Sequence, residues 1–322
     1  MKNNIKDYQW PSSFILPKQK YYIKYEKKID SKLINDLEKF FQKYHGFKVI
    51  LFPSARAGIA SILRFLKIDR SKEVFVNKWV SHCIFNTVGR YTNISTSFKT
   101  PEVAIAVHKW GFKQIIPEKK NIKIIEDSVD SIIVNKNDLF VNKGEFEIVS
   151  LPKIIGSVSG GIVITKNSNF YAYAKKEQMK NKELGQYQSR GKFEDINKKK
   201  TFHTWLYHES TNTFLEYNAL LDIKKNLKNF EINKKIILKR TKVFKNNFNK
   251  ISYLSKRLGP IIPIKYKSIK NHDLMNKHFL LRRIHKNQKK IDIFEKVYLF
   301  PIHFRITNKK FKKFLENLKK CL

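Results

Sequence analysis

Residues 144–165 read GEFEIVSLPKIIGSVSGGIVIT, and this stretch decides the fold of the chain. Its segments "EIVSL" and "GIVIT" are short, apolar and rich in β-branched side chains, which is typical of strands buried inside a sheet. A Ser-Leu-Pro-Lys turn and a loop of small residues separate the two segments. Lys153 lies in that turn, so the sequence places a lysine at the end of a buried strand.

Further strands alternate with helices on the N-terminal side of this stretch. The segments "KVILF", "EVFV", "VAIAVH" and "IKIIEDSVDSIIV" indicate strands, and apolar spacing predicts helices over residues 31–45, 55–68 and 77–90. This alternation is typical of an α/β fold with a mostly parallel sheet flanked by helices. Such sheets bind ligands at the C-terminal ends of their strands. The turns "PSAR", "EDSVD" and "SLPK" all follow predicted strands there.

The pattern changes near residue 206. Residues 214–251 predict one or two long, lysine-faced helices, and short apolar segments and a last helix, "NKKFKKFLENLKKCL", follow them. We therefore expect two domains. A large α/β domain with a helical segment at its start spans residues 1–205, and a smaller α+β domain spans residues 206–322.

The chain is strongly basic, with 66 Lys and Arg against 27 Asp and Glu and a formal net charge of +39. Either codon usage in an AT-rich genome or attraction of an anionic partner would explain this excess. No arginine-rich arm, zinc finger or aromatic RNA-binding motif accompanies the charge, so we expect no nucleic-acid partner. The two cysteines lack metal-site spacing and fit a reducing compartment. No apolar run reaches the ~20 residues of a membrane span, and we expect a cytoplasmic protein without a bound metal.

Each of the three turns has more than one interpretation. Ser54 in "SARAG" could cap the following helix, or the helix start could bind a phosphate. The acids of "EDSVD" could cap a helix, bind a metal or pair with a protonated ring nitrogen. Lys153 could be a surface charge or, with a lowered pKa, form a Schiff base. Taken together, the turns match the needs of pyridoxal phosphate, with Trp79 as the aromatic ring that stacks on it.

A collinear series of segments runs from about residue 35 to the C-terminus: "INDLEKFFQKYHGFKVILFPSARAGIASIL", "EVFVNKWVS", "AVHKWGF", "IIEDSVDS", "GEFEIVSLPKIIGSVSGGIVIT", "FLEYNALLDI" and "YLFPIHFRIT". In order and spacing this series resembles the DegT/DnrJ/StrS family of sugar aminotransferases. The resemblance implies the fold type I architecture of pyridoxal-phosphate enzymes, with a mostly parallel sheet and a smaller α+β domain at the C-terminus.

The resemblance also implies a role for each matching residue. Lys153 would form the Schiff base with pyridoxal 5'-phosphate, Asp127 would pair with the pyridine nitrogen, and Trp79 would stack on the ring. Asp130 stands where the family has glutamine, near the ring oxygen O3′. The phosphate would be bound by the backbone of three residues and the hydroxyl of a fourth: Ser54, Ala55, Arg56 and Ser150.

By this resemblance the chain is an aminotransferase that moves an amino group from an amino acid, expected to be glutamate, to a keto-sugar nucleotide. The product would serve the biosynthesis of a surface polysaccharide or glycan, and the enzyme would be a homodimer. The turn between Ser150 and Lys153 is shorter than in the family, as are two other segments. The alternative is therefore a catalytically inactive member that acts as a binding or regulatory protein.

Overall fold

A computed structural model describes residues 31–99, 101–118, 121–132, 136–180, 215, 217–254, 257–286 and 293–322. The strands in these ranges are β1 (Lys48–Phe52), β2 (Glu73–Val76), β3 (Asn93–Ser95), β4 (Val103–Val107), β5 (Lys123–Asp127), β6 (Phe146–Ser150), β7 (Gly161–Thr165), β8 (Ile261–Lys265), β9 (Leu280–His285) and β10 (Phe294–Pro301). The helices are α1 (Ser31–His45), α2 (Ala55–Phe65), α3 (His82–Val88), α4 (Leu151–Ile154), α5 (Ser168–Lys180), α6 (Tyr217–Leu227), α7 (Phe230–Phe248), α8 (His272–His278) and α9 (Asn308–Cys321). The predicted domain boundary between residues 205 and 206 lies outside the described residues.

Strands β1–β7 form one sheet in the order β1-β7-β6-β5-β4-β2-β3. The neighbours from β6 to β3 pair in parallel, whereas β7 pairs antiparallel with both β6 and β1. The mostly parallel sheet predicted from the sequence is confirmed. Because β7 is antiparallel to both its neighbours, β1 runs in the same direction as β6. The C-terminal ends of β1, β2, β4, β5 and β6 therefore meet at one edge, together with the first residue of β7.

Apolar side chains cover both faces of the large sheet. Along β1, Val49 and Leu51 pack in one core cluster with α1 and α6, while Ile50 and Phe52 pack in another with α2, α3 and α5. Successive side chains of a strand point to opposite faces, so an apolar run of this kind is buried only where helices lie on both sides. This burial explains why the strands read as continuous apolar segments.

One predicted helix is shorter than expected. The apolar spacing predicts a helix over residues 77–90, but α3 begins only at His82. The side chain of Asn77 accepts a hydrogen bond from the Trp79 backbone N–H at 3.0 Å, which closes a turn in place of a first helical turn. As a result, Trp79 lies on a loop after β2.

The C-terminal part of the chain adds a second, antiparallel sheet in the order β8-β10-β9. Two long helices, α6 and α7, precede it, and α9 follows it, as the sequence predicts. Thr307 caps α9 by accepting a hydrogen bond from the Lys310 backbone N–H at 3.3 Å. Apolar residues of this part share a core cluster with α1 and β1. Over the described ranges, no helix is both long enough and apolar enough to span a membrane.

A buried ion pair ties the C-terminal part to the large sheet. Arg257 Nη1 lies 2.9 Å from Glu147 Oε1 of β6, and both side chains are fully buried. The same guanidinium group donates hydrogen bonds to the Ser128 hydroxyl at 2.5 Å and to the Asp138 carbonyl oxygen. Phe140 N–H donates to the second oxygen of Glu147 at 2.6 Å. Arg257 thus reaches the sheet immediately behind the end of β5.

Replacing Arg257 by methionine should destabilise the protein by about 3–5 kcal/mol, because it leaves the Glu147 carboxylate buried and without its cation. The measurement is the free energy of unfolding from urea titration. Lys143→Met is the control, since its ion pair with Glu118 is exposed at the surface and contributes little. Adding Glu147→Gln to Arg257→Met should recover part of the loss. Equal stability of Arg257→Met and the wild type would contradict this account.

Candidate active site

The candidate site lies at the edge where the parallel strands end. Asp127 is the last residue of β5, Ser150 is the last residue of β6, and Ser54 lies between β1 and α2. Gly161, the first residue of β7, pairs with both Phe52 and Ser150. All three turns that the sequence marks as candidates therefore lie at this edge of the sheet.

Lys153 lies in α4, a single helical turn that follows β6 directly. Its Nζ atom is 2.5 Å from Asp130 Oδ1, and the two side chains are only 27% and 12% exposed. The turn between Ser150 and Lys153 thus directs the lysine toward the acidic turn after β5. Burial works against the ammonium ion, but the charge and hydrogen bond of Asp130 outweigh it and hold the pKa of Lys153 above its ordinary value. Asp127 and Cys83 act in the same direction.

This geometry corrects one premise of the sequence analysis. The Schiff-base interpretation assumes a lysine with a lowered pKa, whereas Asp130 holds the pKa of Lys153 above its ordinary value. The reason is Asp130, a carboxylate where the resembled family has an amide, because a nearby opposite charge favours the charged form of a lysine. The predicted contact of Asp130 with the ring oxygen of the cofactor stays a prediction.

Asp127 is a buried carboxylate with one oxygen left open. Its Oδ1 atom accepts a hydrogen bond from the Val129 N–H at 3.0 Å. Its Oδ2 atom is buried and has no hydrogen-bond partner among the residues that the structure describes. Burial raises the pKa of Asp127 to about 7, and the negative charges of Asp130 and Glu147 add to this effect. A buried polar atom without a partner is costly in a native protein, and a protonated ring nitrogen would satisfy it.

A buried network holds the ends of β4 and β5 together beside Asp127. His108 Nδ1 accepts a hydrogen bond from the Gln114 N–H at 3.0 Å, which leaves the ring proton on Nε2. That nitrogen lies 2.7 Å from Glu126 Oε2. Asn142 N–H donates to the other oxygen of Glu126 at 2.7 Å. Burial disfavours the charge on Glu126, but the contacts with His108 and Asn142 outweigh it and lower its pKa.

The turn after β1 and the start of β7 approach each other closely. A Cβ atom on Gly161 would lie 2.4 Å from the Ala55 nitrogen and 2.6 Å from the Ser54 carbonyl carbon, so only glycine fits there. Ser54 caps α2, since its hydroxyl accepts a hydrogen bond from the Ala57 N–H at 3.2 Å. The capping interpretation of Ser54 therefore holds, and it keeps the first turn of α2 at the site edge. The N–H groups of a first helical turn favour an anion.

Arg56 adds a side-chain charge to this helix start. Burial lowers the pKa of its guanidinium group, and the positive charge of Arg90 lowers it further, while Cys83 acts in the opposite direction. Cys83 lies in α3 and also interacts with Lys153. Cys83 thus interacts electrostatically with both Arg56 and Lys153, which come from two other segments of the chain.

Trp79 lies on the loop after β2 and is 39% exposed. The guanidinium group of Arg283, from β9, lies 4.2 Å from the centre of its ring. Lys109, which follows β4, donates hydrogen bonds to the backbone carbonyl oxygens of Trp79 and, at 3.2 Å, of Arg283. Arg283 therefore covers one face of the Trp79 ring. Stacking of Trp79 on a cofactor stays a prediction.

Two basic residues near the candidate site, Lys109 and Arg283, are not predicted from the sequence. Lys109 carries a pKa lowered to about 8, chiefly by burial and in part by Arg282, although the charge of Asp130 works the other way. Arg283 reaches the Trp79 ring from the second sheet. The segment "AVHKWGF" marks the position of Lys109, but its surroundings depend on β9, which follows more than a hundred residues later.

A family model described as "Putative PLP-dependent aminotransferase" matches residues 37–321. The chain belongs to this family. Its cofactor, pyridoxal phosphate, is the one that the sequence predicts, and the aminotransferase class is likewise confirmed. Comparison with curated proteins by sequence finds no match.

Solved structures show the same fold at low sequence identity. The aminotransferase matches GDP-4-keto-6-deoxy-D-mannose-3-dehydratase with bound hydrated PLP from E. coli (TM-score 0.60, 12% identity, 90% of this chain and 92% of that one). It also matches a DegT DnrJ EryC1 StrS aminotransferase from Brucella abortus (TM-score 0.58, 11% identity, 91% of each chain). A third match is PseC of Helicobacter pylori, an aminotransferase involved in the biosynthesis of pseudoaminic acid (TM-score 0.55, 13% identity, 95% and 98%). The predicted fold class is therefore confirmed.

Proposed function

We propose that this aminotransferase transfers the amino group of an amino acid, with glutamate as the first candidate, to a keto sugar carried on a nucleotide. The membership of the family supports the amino transfer. Two structural neighbours support the sugar, since their names refer to a GDP-linked keto sugar and to pseudoaminic acid. The observation that carries the proposal is the buried Asp127 Oδ2 atom, left open at the same sheet edge as Lys153.

The residues at the sheet edge fit pyridoxal phosphate. Asp127 would hold the proton of the pyridine nitrogen through its open oxygen. Lys153 would hold the cofactor through Nζ. The first turn of α2, with the backbone of Ser54, Ala55 and Arg56, would bind the phosphate, and the hydroxyl of Ser150 would add to it. Gly161, which has no Cβ atom, lets the Ser54–Ala55 backbone lie against the start of β7 and so keeps the first turn of α2 at this edge. Trp79 would cover the ring and exclude water.

The chemistry divides between the cofactor and the chain. Pyridoxal phosphate, when bound, supplies an electron-withdrawing ring that stabilises negative charge on the α-carbon of the amino acid. Asp127 would be ionised opposite a protonated ring nitrogen, and a fixed charge there would need no rearrangement during the reaction. Lys153 Nζ takes the α-proton as a general base and returns it as a general acid. Asp130 lies 2.5 Å from this nitrogen and orients it.

A keto-sugar nucleotide carries two phosphates, so its acceptor site must compensate negative charge. Lys109 and Arg283 lie on the Trp79 side of the candidate site, and Arg282 interacts with Lys109. These three cations are the groups that favour an anionic substrate there. The resemblance also implies a homodimer, and this stays a prediction.

The proposal is tested by following the two half-reactions separately. The enzyme loaded with pyridoxal phosphate is mixed with glutamate, and we expect one equivalent of 2-oxoglutarate together with loss of the visible absorbance band. Adding a nucleotide-linked keto sugar should restore the band and yield the aminated sugar nucleotide. Unlinked keto sugars and 2-oxo acids serve as comparison acceptors.

Two results would separate the proposal from its alternatives. Failure of the protein to take up pyridoxal phosphate would contradict the proposal as a whole. A protein that binds the cofactor but releases no 2-oxo acid from any amino acid would favour a binding or regulatory protein. Restoration of the band by simple 2-oxo acids alone would keep the aminotransferase and exclude the sugar acceptor.

A further inference from the structure

Asp130 is the residue in contact with the lysine that would take the cofactor. Its Oδ1 atom lies 2.5 Å from Lys153 Nζ, and neither side chain is more than a third exposed. The resembled family has a glutamine at this position, and an amide can accept a hydrogen bond without adding charge. A carboxylate in the same place accepts the same bond and adds a full negative charge. A charge-assisted bond in a partly dry site is roughly twice as strong as a neutral one.

The charged groups around this pair come from four elements. Asp130 and Asp127 face Lys153 from the end of β5, and Cys83 faces it from α3. Lys109, after β4, faces Asp130 and is itself close to Arg282 of β9. Asp130 therefore interacts with two lysines.

We propose that Asp130 is a positioning residue that keeps Lys153 as an ammonium ion in the cofactor-free enzyme and so sets the pH above which Lys153 takes the cofactor. The proposal rests on the proposed function, because it needs Lys153 to be the residue that reacts. Lys153 first releases a proton to solvent. The free amine then forms a carbon–nitrogen double bond at the aldehyde carbon, and the aldehyde oxygen leaves as water. The ammonium form has no lone pair and cannot take this step.

The test measures how fast Lys153 is modified as a function of pH. Cofactor-free enzyme is mixed with pyridoxal phosphate at pH values from 6 to 10, reduced with borohydride and analysed by peptide mass spectrometry. For the wild type we expect a rate that rises through this range. For Asp130→Asn we expect a rate about tenfold higher at neutral pH, because the opposite charge that favours the ammonium form is gone. Asp130→Glu should restore the wild-type profile.

The chain offers a matched control. Lys113 and Asp138 form an ion pair at 2.7 Å, with side chains 21% and 15% exposed, outside the candidate site. Asp138→Asn should leave the pH profile of Lys153 unchanged. If Asp130→Asn does not fold, as judged by its thermal transition, Asp130→Gln makes the same comparison.

The outcomes separate the two hypotheses. A pH profile of Asp130→Asn identical to that of the wild type would overturn the role of Asp130 and leave the proposed function standing. Absence of modification at Lys153 in the wild type at every pH would overturn the proposed function itself. A faster reaction of Asp130→Asn confined to neutral pH, with equal rates at high pH, would support the role of Asp130, since a merely structural effect would change the rate at all pH values.

Discussion

Replacing Lys153 by alanine should yield a folded protein that catalyses amino transfer about 10²–10⁴-fold more slowly than the wild type. The variant lacks the nitrogen that would hold the cofactor and move the α-proton. It also leaves Asp130 without the cation at 2.5 Å, but both side chains are partly exposed and water can replace the contact. The measurements are the single-turnover rate with glutamate and the visible absorbance of the loaded protein.

The control for this prediction is Lys113→Ala. It removes a lysine from an ion pair of similar length and exposure, outside the site. We expect the control to keep the absorbance band and the rate, and to lose about as much stability as Lys153→Ala. If borohydride treatment still attaches the cofactor covalently to Lys153→Ala, another lysine forms the link. Lys109 is then the first candidate, because its pKa is lowered to about 8, chiefly by burial.

Much of the large sheet can be predicted from the sequence because burial on both faces leaves a strong local signal. Strands such as β4, with five buried residues in succession, read as apolar runs. The strand β3 has no such signal, since its three residues are polar or partly exposed. The helix α5 is not predicted from the sequence either, because apolar residues do not form a clear stripe along it. Only Phe170, Ala174 and Gln178 of this helix are buried.

The candidate site is predictable only in part, for reasons of distance along the chain. The three turns can be found because each follows a recognisable strand, and parallel strands bring their ends to one edge. The contact between Lys153 and Asp130 joins residues 23 positions apart across two strands. The Arg257 contact with Ser128 spans 129 positions, and the Lys109 contact with Arg283 spans 174. No local pattern encodes such contacts. The first depends on the pairing of β5 with β6, and the other two depend on how the C-terminal part of the chain packs against the large sheet.

Replacing Asp127 by asparagine should lower the rate of amino transfer by about 10²–10³-fold, the usual cost of removing one group aimed at developing charge. Asparagine has nearly the same shape and can still accept the hydrogen bond from the Val129 N–H. It cannot keep a proton on the pyridine nitrogen by its charge. The measurement is the single-turnover rate with glutamate, and Asp69→Asn, at an exposed turn after α2, is the control.

The same variant should gain stability relative to the wild type as the pH rises. Burial raises the pKa of Asp127 from 3.8 to about 7 in the folded protein. Between these pH values the folded state binds a proton that the unfolded state has lost, so this residue makes the wild type less stable with rising pH. Asparagine does not titrate. Over this pH range, the unfolding free energy of Asp127→Asn should rise relative to that of the wild type by on the order of 4 kcal/mol, both measured without the cofactor.

Cofactor binding should reverse the order of stability of Asp127→Asn and the wild type. A protonated ring nitrogen opposite Asp127 would favour the ionised carboxylate and lower its pKa, so the cofactor should raise the thermal transition of the wild type most above pH 7. The variant lacks this charge and should gain less from the cofactor. A carboxylate that destabilises the free protein and stabilises the loaded one is explained by a ligand-binding role, not by folding. Equal pH profiles of stability for Asp127→Asn and the wild type, without and with the cofactor, would contradict that role.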